Sequence, residues 1–136
     1  MKLSHLKIDS KAIEAGEWHK KMPGMGDFAV RVRGLGSKQY QARLSELVEN
    51  VPLKDRAEGL SEEDNFRITN EALAEFILLD WSGLENEDGS PIEFDRGIAL
   101  KILTDPDCDD IRKAVMNAAA RTGRTARLAA ISSGTG

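Results

Sequence analysis

Cys108 stands in the run Asp105-Pro106-Asp107-Cys108-Asp109-Asp110, and a lone thiol among carboxylates is the first residue to test for chemistry. A reactive cysteine needs an electropositive setting that favours the thiolate. A helix start would help slightly here, whereas Asp107, Asp109 and Asp110 oppose ionisation, so no catalytic thiol is expected. His5 and His19 are the only histidines, and with one cysteine and no HxxxH or CxxC spacing they form no zinc pattern. Both are expected at the surface. The acidic turn around Asp88-Gly89 invites comparison with a calcium loop. With Gly89 at the sixth position, Leu84 takes the first and Asp95 the last, so one ligand is missing and another is too short. Asp105, Asp107 and Asp109 alternate, but Pro106 places them in the first turn of a helix, where a cap explains them.

The glycine pairs Gly24/Gly26 and Gly34/Gly36 lack the third glycine of a dinucleotide loop, and no Gly-Lys-Ser/Thr triplet exists. Arg121, Arg124 and Arg127 recur every three residues with no acid between them. Such a row can contact phosphates, but it equally compensates a helix C-terminus or pairs with an acidic surface. Without interleaved aromatics it does not favour nucleic acid. No catalytic residue, metal or cofactor is expected, and the chain reads as non-enzymatic.

The elements that would position any site follow from hydrophobic spacing. At 136 residues with 31% charged side chains, one domain spanning residues 1–123 is expected, followed by a basic, Gly/Ser/Thr-containing flexible tail at 124–136. Aromatics make up only 5%, so the core must rest on Leu, Ile, Val and Ala. The single cysteine excludes an intrachain disulfide. The absence of a long apolar run argues against a membrane span and for a cytoplasmic protein. The net charge of −4 hides segments of +4 (residues 1–54), −11 (55–95) and +3 (96–136). Such a dipolar chain either neutralises itself in the fold or offers a negative patch to a basic partner.

Residues 17–22 and 27–33 alternate as strands around the turn Pro23-Gly24-Met25-Gly26. An odd-length loop, which aligns Trp18 with Val30 or Val32, gathers the apolar side chains on one face. A helix from near Ser37, a potential N-cap, carries Tyr40, Leu44, Leu47, Val48 and Val51 and ends at Pro52. Residues 53–60 read as a polar connection. Ser61 then caps a long helix predicted over residues 62–81, with Ile68, Ala72, Phe76 and Leu79 as its inner stripe. Ser82-Gly83 stops it, residues 85–90 turn, and Ile92 and Phe94 return to the core. Asp95 caps a short helix and Asp105-Pro106 starts another, with Ile111, Val115, Ala118 and Ala119 buried. The fold class is therefore α+β, mainly helical, with an N-terminal β-hairpin packed on about four α-helices.

The order of these motifs carries a resemblance. A strand ending Val30-Arg31-Val32-Arg33-Gly34-Leu35-Gly36 comes first, then a helix with Tyr40. A long helix closes in Leu79-Asp80-Trp81-Ser82-Gly83-Leu84, followed by the acidic turn to Pro91 and the start at Asp105-Pro106. Together they resemble the tail assembly chaperones of long-tailed bacteriophages, most specifically in DWSGLENEDGSPIEF. The chain departs from that pattern at Asp95-Arg96-Gly97, where Ser/Thr-Pro-Glu would be more familiar. The resemblance implies a non-catalytic protein of virion morphogenesis in the host bacterial cytoplasm. Its partners would be the tape measure protein and the tail tube protein, and it could act as a homo-oligomer. Helix-in-groove contact would cover apolar stripes of the client. The residues to look at first for partner binding are Trp18, Trp81, Gly83, Leu84, Asp88, Gly89 and Phe94, although both tryptophans also suit a core. The alternatives are a structural virion protein of the tail or head-tail connector, and an acidic inhibitory protein that mimics nucleic acid.

Overall fold

The apolar residues from Ile68 onward need cover on every side, and the chain obtains it by changing backbone conformation. The computed structural model describes residues 1–124. It contains α1 (Ser10–Ala15), β1 (Glu17–His19), β2 (Ala29–Val32), α2 (Lys38–Glu49), α3 (Leu53–Arg56), α4 (Glu62–Ala72), β3 (Leu78–Ser82), α5 (Arg96–Leu103) and α6 (Asp109–Arg121). The strands form one antiparallel sheet with β2 in the centre. α6 packs against β2, α2 against α4, and α5 touches both α4 and α6. The architecture is the expected mainly helical α+β, with a third strand that the sequence pattern had assigned to a helix. Residues 125–136, which include Arg127 and all but the first residue of the tail expected at 124–136, lie outside the described residues.

The predicted helix over residues 62–81 is the main correction. It ends at Ala72, passes through a π-helical turn at Leu73–Ile77, and becomes β3. Local apolar content could not distinguish these states, because a buried strand and a buried helix both read as continuous hydrophobics. Pairing with β2 decides the outcome, since Leu78, Asp80, Trp81 and Ser82 complete the ladder of the central strand. A bulge between Arg31 and Val32 leaves Leu79 as the extra residue of β3. That shift in side-chain parity turns both Leu78 and Trp81 into the core, which a regular two-residue alternation would forbid.

Switching from helix to strand exposes carbonyls that the helix would have satisfied. Leu78 N–H donates back to Leu73 O across the π turn. Arg33 donates from Nη1 to Phe76 O at 3.0 Å, and its backbone N–H reaches Ile77 O at 3.0 Å. Arg96 Nη1 reaches Ala74 O at 2.7 Å and Leu78 O at 2.5 Å. Two arginines from distant parts of the chain thus hold the transition. The Asp95-Arg96-Gly97 sequence that departs from the resembled family pattern has this structural use.

The hairpin register also differs from expectation. Glu17 pairs with Val32, Trp18 with Arg31 and His19 with Val30, the even alignment that the apolar pattern argued against. Val30 and Val32 are buried by α6 and the helical core, so β1 need not contribute an apolar face, and Trp18 turns outward with Arg31. Lys20 falls beyond the strand in the loop and does not snorkel from a buried face.

The helix starts follow the expected chemistry with one exception. Ser61 Oγ accepts from Asp64 N–H at 3.0 Å, and Asp95 accepts from Ile98 N–H at 3.0 Å. Asp105 accepts from Asp107 N–H at 2.9 Å and starts a 3₁₀ turn at Pro106–Cys108 that leads into α6. Ser37 makes no side-chain cap. Glu14 of α1 caps α2 instead, accepting from Lys38 N–H at 2.8 Å and Ser37 Oγ at 3.1 Å. These donors hold its carboxyl below the usual carboxylate range. The segment read as a polar connection contains the single-turn α3, Leu53–Arg56.

Candidate binding groove

Trp18 is 43% exposed although it lies in a strand of the sheet. It lines an open groove of about 800 Å³, walled on one side by β1 and the loop that follows it, and on the other by α6. The α6 wall is made by Asp110, Lys113, Ala114, Asn117, Ala118 and Arg121. Their spacing, i, i+3, i+4, i+7, i+8 and i+11, is one face of a helix. Small residues at Ala114 and Ala118 keep that face low, so the groove has depth. The loop is held by short turns, with Met25 N–H donating to Met22 O at 3.1 Å and Phe28 N–H to Met25 O at 3.0 Å. Met22 and Met25 pack their inner sides on the core and also line the groove.

The two walls are joined through His19. Thr122, buried at the end of α6, donates its hydroxyl to Ala118 O at 2.9 Å, and its Oγ1 lies 2.9 Å from His19 Nε2. The expectation of a surface histidine is therefore corrected: His19 is half-buried and ties β1 to α6. Burial lowers its pKa, Arg121 adds to the shift, and Glu17 opposes it. Because the unfolded chain binds a proton more readily than the folded one, this contribution to stability is complete above the ordinary imidazole pKa and declines on acidification toward the lowered folded value. The melting temperature is expected to fall between about pH 7.5 and about pH 5. His19→Gln should flatten the part of that slope near the imidazole pKa, and an unchanged slope there would remove His19 as its source.

The other residues proposed for partner binding do not line this groove. Trp81 is 6% exposed, donates from Nε1 to Ile92 O at 2.7 Å, and meets Phe94 edge-on with ring centroids 4.9 Å apart. The Arg96 guanidinium lies 5.2 Å from the Phe94 ring centre. Leu84 is half-buried, and its carbonyl accepts from Ile92 N–H at 2.8 Å. Gly83 has φ +78° and packs directly on the backbone of Asp27. Asp88 and Gly89 form the exposed tip of the turn, where Asp88 accepts from Ser90 N–H and Oγ, which holds its carboxyl low. This group therefore builds the turn and docks it on the core. Only Trp18 faces a concave surface.

Of the groove residues, His19, Lys20, Lys21, Met22, Met25 and Lys113 are not among those the sequence offered for partner binding. The buried stripe of α6 at Ile111, Val115, Ala118 and Ala119 was legible from spacing, but nothing in the sequence states that the neighbouring face would wall a groove or which strand it would oppose. Burial, Asp105 and Asp107 push the Cys108 thiol pKa up, which disfavours its thiolate. Among the described residues, no group of three His, Cys, Asp or Glu side chains is placed to hold a metal ion. No helix among them is long and apolar enough to cross a membrane.

A family model described as the YdaY prophage protein matches residues 35–129, more than half of the chain. That span includes the α6 wall of the groove and leaves the β1 wall, with Trp18, outside it. Neither the curated proteins nor the solved structures contain a match to this chain.

Proposed function

Because the chain belongs to the YdaY prophage protein family and is thus phage-derived, we propose that it is a non-catalytic tail assembly chaperone that binds the tape measure protein in the host cytoplasm. The observation that carries this reading is an exposed tryptophan set in an open groove whose walls are a helix face and a methionine-containing loop. Such a surface suits a helix from a partner, with a large aromatic anchor and side chains that can repack. The ordered motifs that resemble tail assembly chaperones support the same partner. The carboxylates at Asp95, Asp105 and Asp88 are engaged in caps and turns, which suits a binding protein more than an acid-base site.

Co-expression with the tape measure protein of the same prophage tests the proposal. The expected result is a recoverable complex and more soluble tape measure protein. Trp18→Ala should lower recovery by about tenfold at limiting concentration without changing the fold. Absence of any complex with the wild-type chain would sink the reading. Stoichiometric recovery of the chain from purified virions would favour a structural tail or connector protein instead.

A further inference from the structure

We propose that the groove between β1, the loop after it and α6 receives an acidic amphipathic helix, an inference that names the chemistry of the client segment and so rests on the chaperone reading. The chain as a whole is acidic, yet this groove is not. Among the described residues, Lys20, Lys21, Lys113 and Arg121 line it with Glu17 and Asp110, and because Lys113 is paired with Asp109 at 2.9 Å, the positive surplus is carried by Lys20 and Lys21. Lys20 and Lys21 are exposed and, among the described residues, have no ion-pair or hydrogen-bond partner for their ammonium groups. A local surplus of positive charge on a negative protein is complementary to an acidic partner and steers it to this face.

Backbone conformation adds an independent observation. Lys21 has φ +54°, and it is the only non-glycine residue among the described ones with a positive φ. A lysine in that region costs about 1 kcal/mol or more, although its side chain holds nothing within the fold. That conformation turns the chain where β1 gives way to the loop, and it sets Lys21 on the groove wall beside Lys20.

The apolar part of the groove selects the class of partner. Trp18 is its only aromatic side chain, whereas a surface that tracks single-stranded nucleic acid stacks successive bases on several. Met22, Met25, Ala114 and Ala118 supply adaptable, low apolar surface instead. A helix with an apolar stripe would lay that stripe on the methionines and Trp18, and its flanking Glu or Asp side chains would meet Lys20 and Lys21.

The test uses the full chain and three synthetic helical peptides, read by fluorescence anisotropy. One has an apolar i, i+3, i+4, i+7 stripe flanked by glutamates, one has the same stripe flanked by lysines, and one has the glutamates without the stripe. The first is expected to bind at least about tenfold more tightly than either of the others. Its affinity should fall about tenfold or more in K20E/K21E and in W18A, and should weaken as salt rises from about 50 to about 500 mM. Circular dichroism and thermal melts of both variants should match the wild type, since the side chains concerned are exposed.

Equal binding of the acidic and basic peptides, or no loss in K20E/K21E, would overturn the proposal. So would tighter binding of an oligothymidylate than of the acidic peptide, or a self-association of the chain that K20E/K21E abolishes and that excludes the peptide. The two readings fail separately. A tape measure complex that survives K20E/K21E unchanged would leave the chaperone function and remove this groove, whereas specific peptide binding without a tape measure complex would do the reverse.

Discussion

Gly83→Ala is expected to destabilise the protein by about 3 kcal/mol or more. The residue ends β3 at φ +78°, and a Cβ there would lie 2.3 Å from Asp27 O and 2.6 Å from its carbonyl carbon. Neither atom belongs to a flexible side chain. The backbone preceding β2 would have to move, and the β2-β3 ladder from Ala29 with Ser82 onward would shift with it. Gly89→Ala provides the control. Its φ is +84°, but nothing lies within 4 Å of the added carbon, so only conformational strain of about 1 to 2 kcal/mol remains. Urea denaturation followed by circular dichroism separates the two effects. Equal losses at the two positions would show that the close approach of Gly83 to Asp27 contributes nothing.

Trp81→Ala should cost about 3 to 5 kcal/mol, whereas Trp18→Ala should change stability by no more than about 0.5 kcal/mol. The contrast follows from position. Trp81 lies beside Val30 in the central ladder, fills the space under Phe94, and satisfies Ile92 O through its indole N–H. Truncation removes ring burial, an edge-to-face contact and a hydrogen bond together. Trp81→Phe keeps part of the ring and loses the hydrogen bond, for an expected cost of about 1 to 3 kcal/mol. Chemical denaturation gives these values directly. A stable Trp81→Ala protein would mean that the turn at residues 82–94 does not depend on this anchor. If Trp18→Ala proves as damaging as Trp81→Ala, the groove tryptophan is a core residue and both functional readings lose their support.

These experiments divide a stretch that looked uniform in sequence. The run through Leu73, Phe76, Ile77, Leu78, Leu79 and Trp81 announced burial, and burial is what most of it has. Its secondary structure was not legible, because Ile68, Ala72, Phe76 and Leu79 fit a helical stripe while the final residues also suit a strand. The acidic turn was recognised correctly as a turn built by Asp88, Gly89 and Ser90. Its charge did not indicate how the fold would use it. Arg43 with Glu75 ties the acidic middle segment to the basic N-terminal part of the chain. Arg67 pairs locally with Asp64 and Glu71, capping and turn bonds engage Asp88 and Asp95, and Glu62, Glu63, Glu85, Glu87 and Glu93 remain exposed, so much of the segment's negative charge stays at the surface.

The sequence by itself determined the features that depend on near neighbours. Ser61, Asp95 and Asp105 cap through atoms two or three residues away, α2 and α6 bury the stripes their spacing requires, and Gly89 turns where only a short local path is involved. Tertiary structure decided what depends on a partner far along the chain. β3 exists because β2 needs a second neighbour, and Glu14 caps α2 from across a turn. Arg33 and Arg96 satisfy the carbonyls left by the π turn, and β1 takes the register that places His19 on Thr122. The physical reason is that a hydrogen-bond acceptor or an apolar face specifies only that it must be covered. Which residue covers it is settled when the elements pack, and the groove that leaves Trp18 exposed arises at that same step.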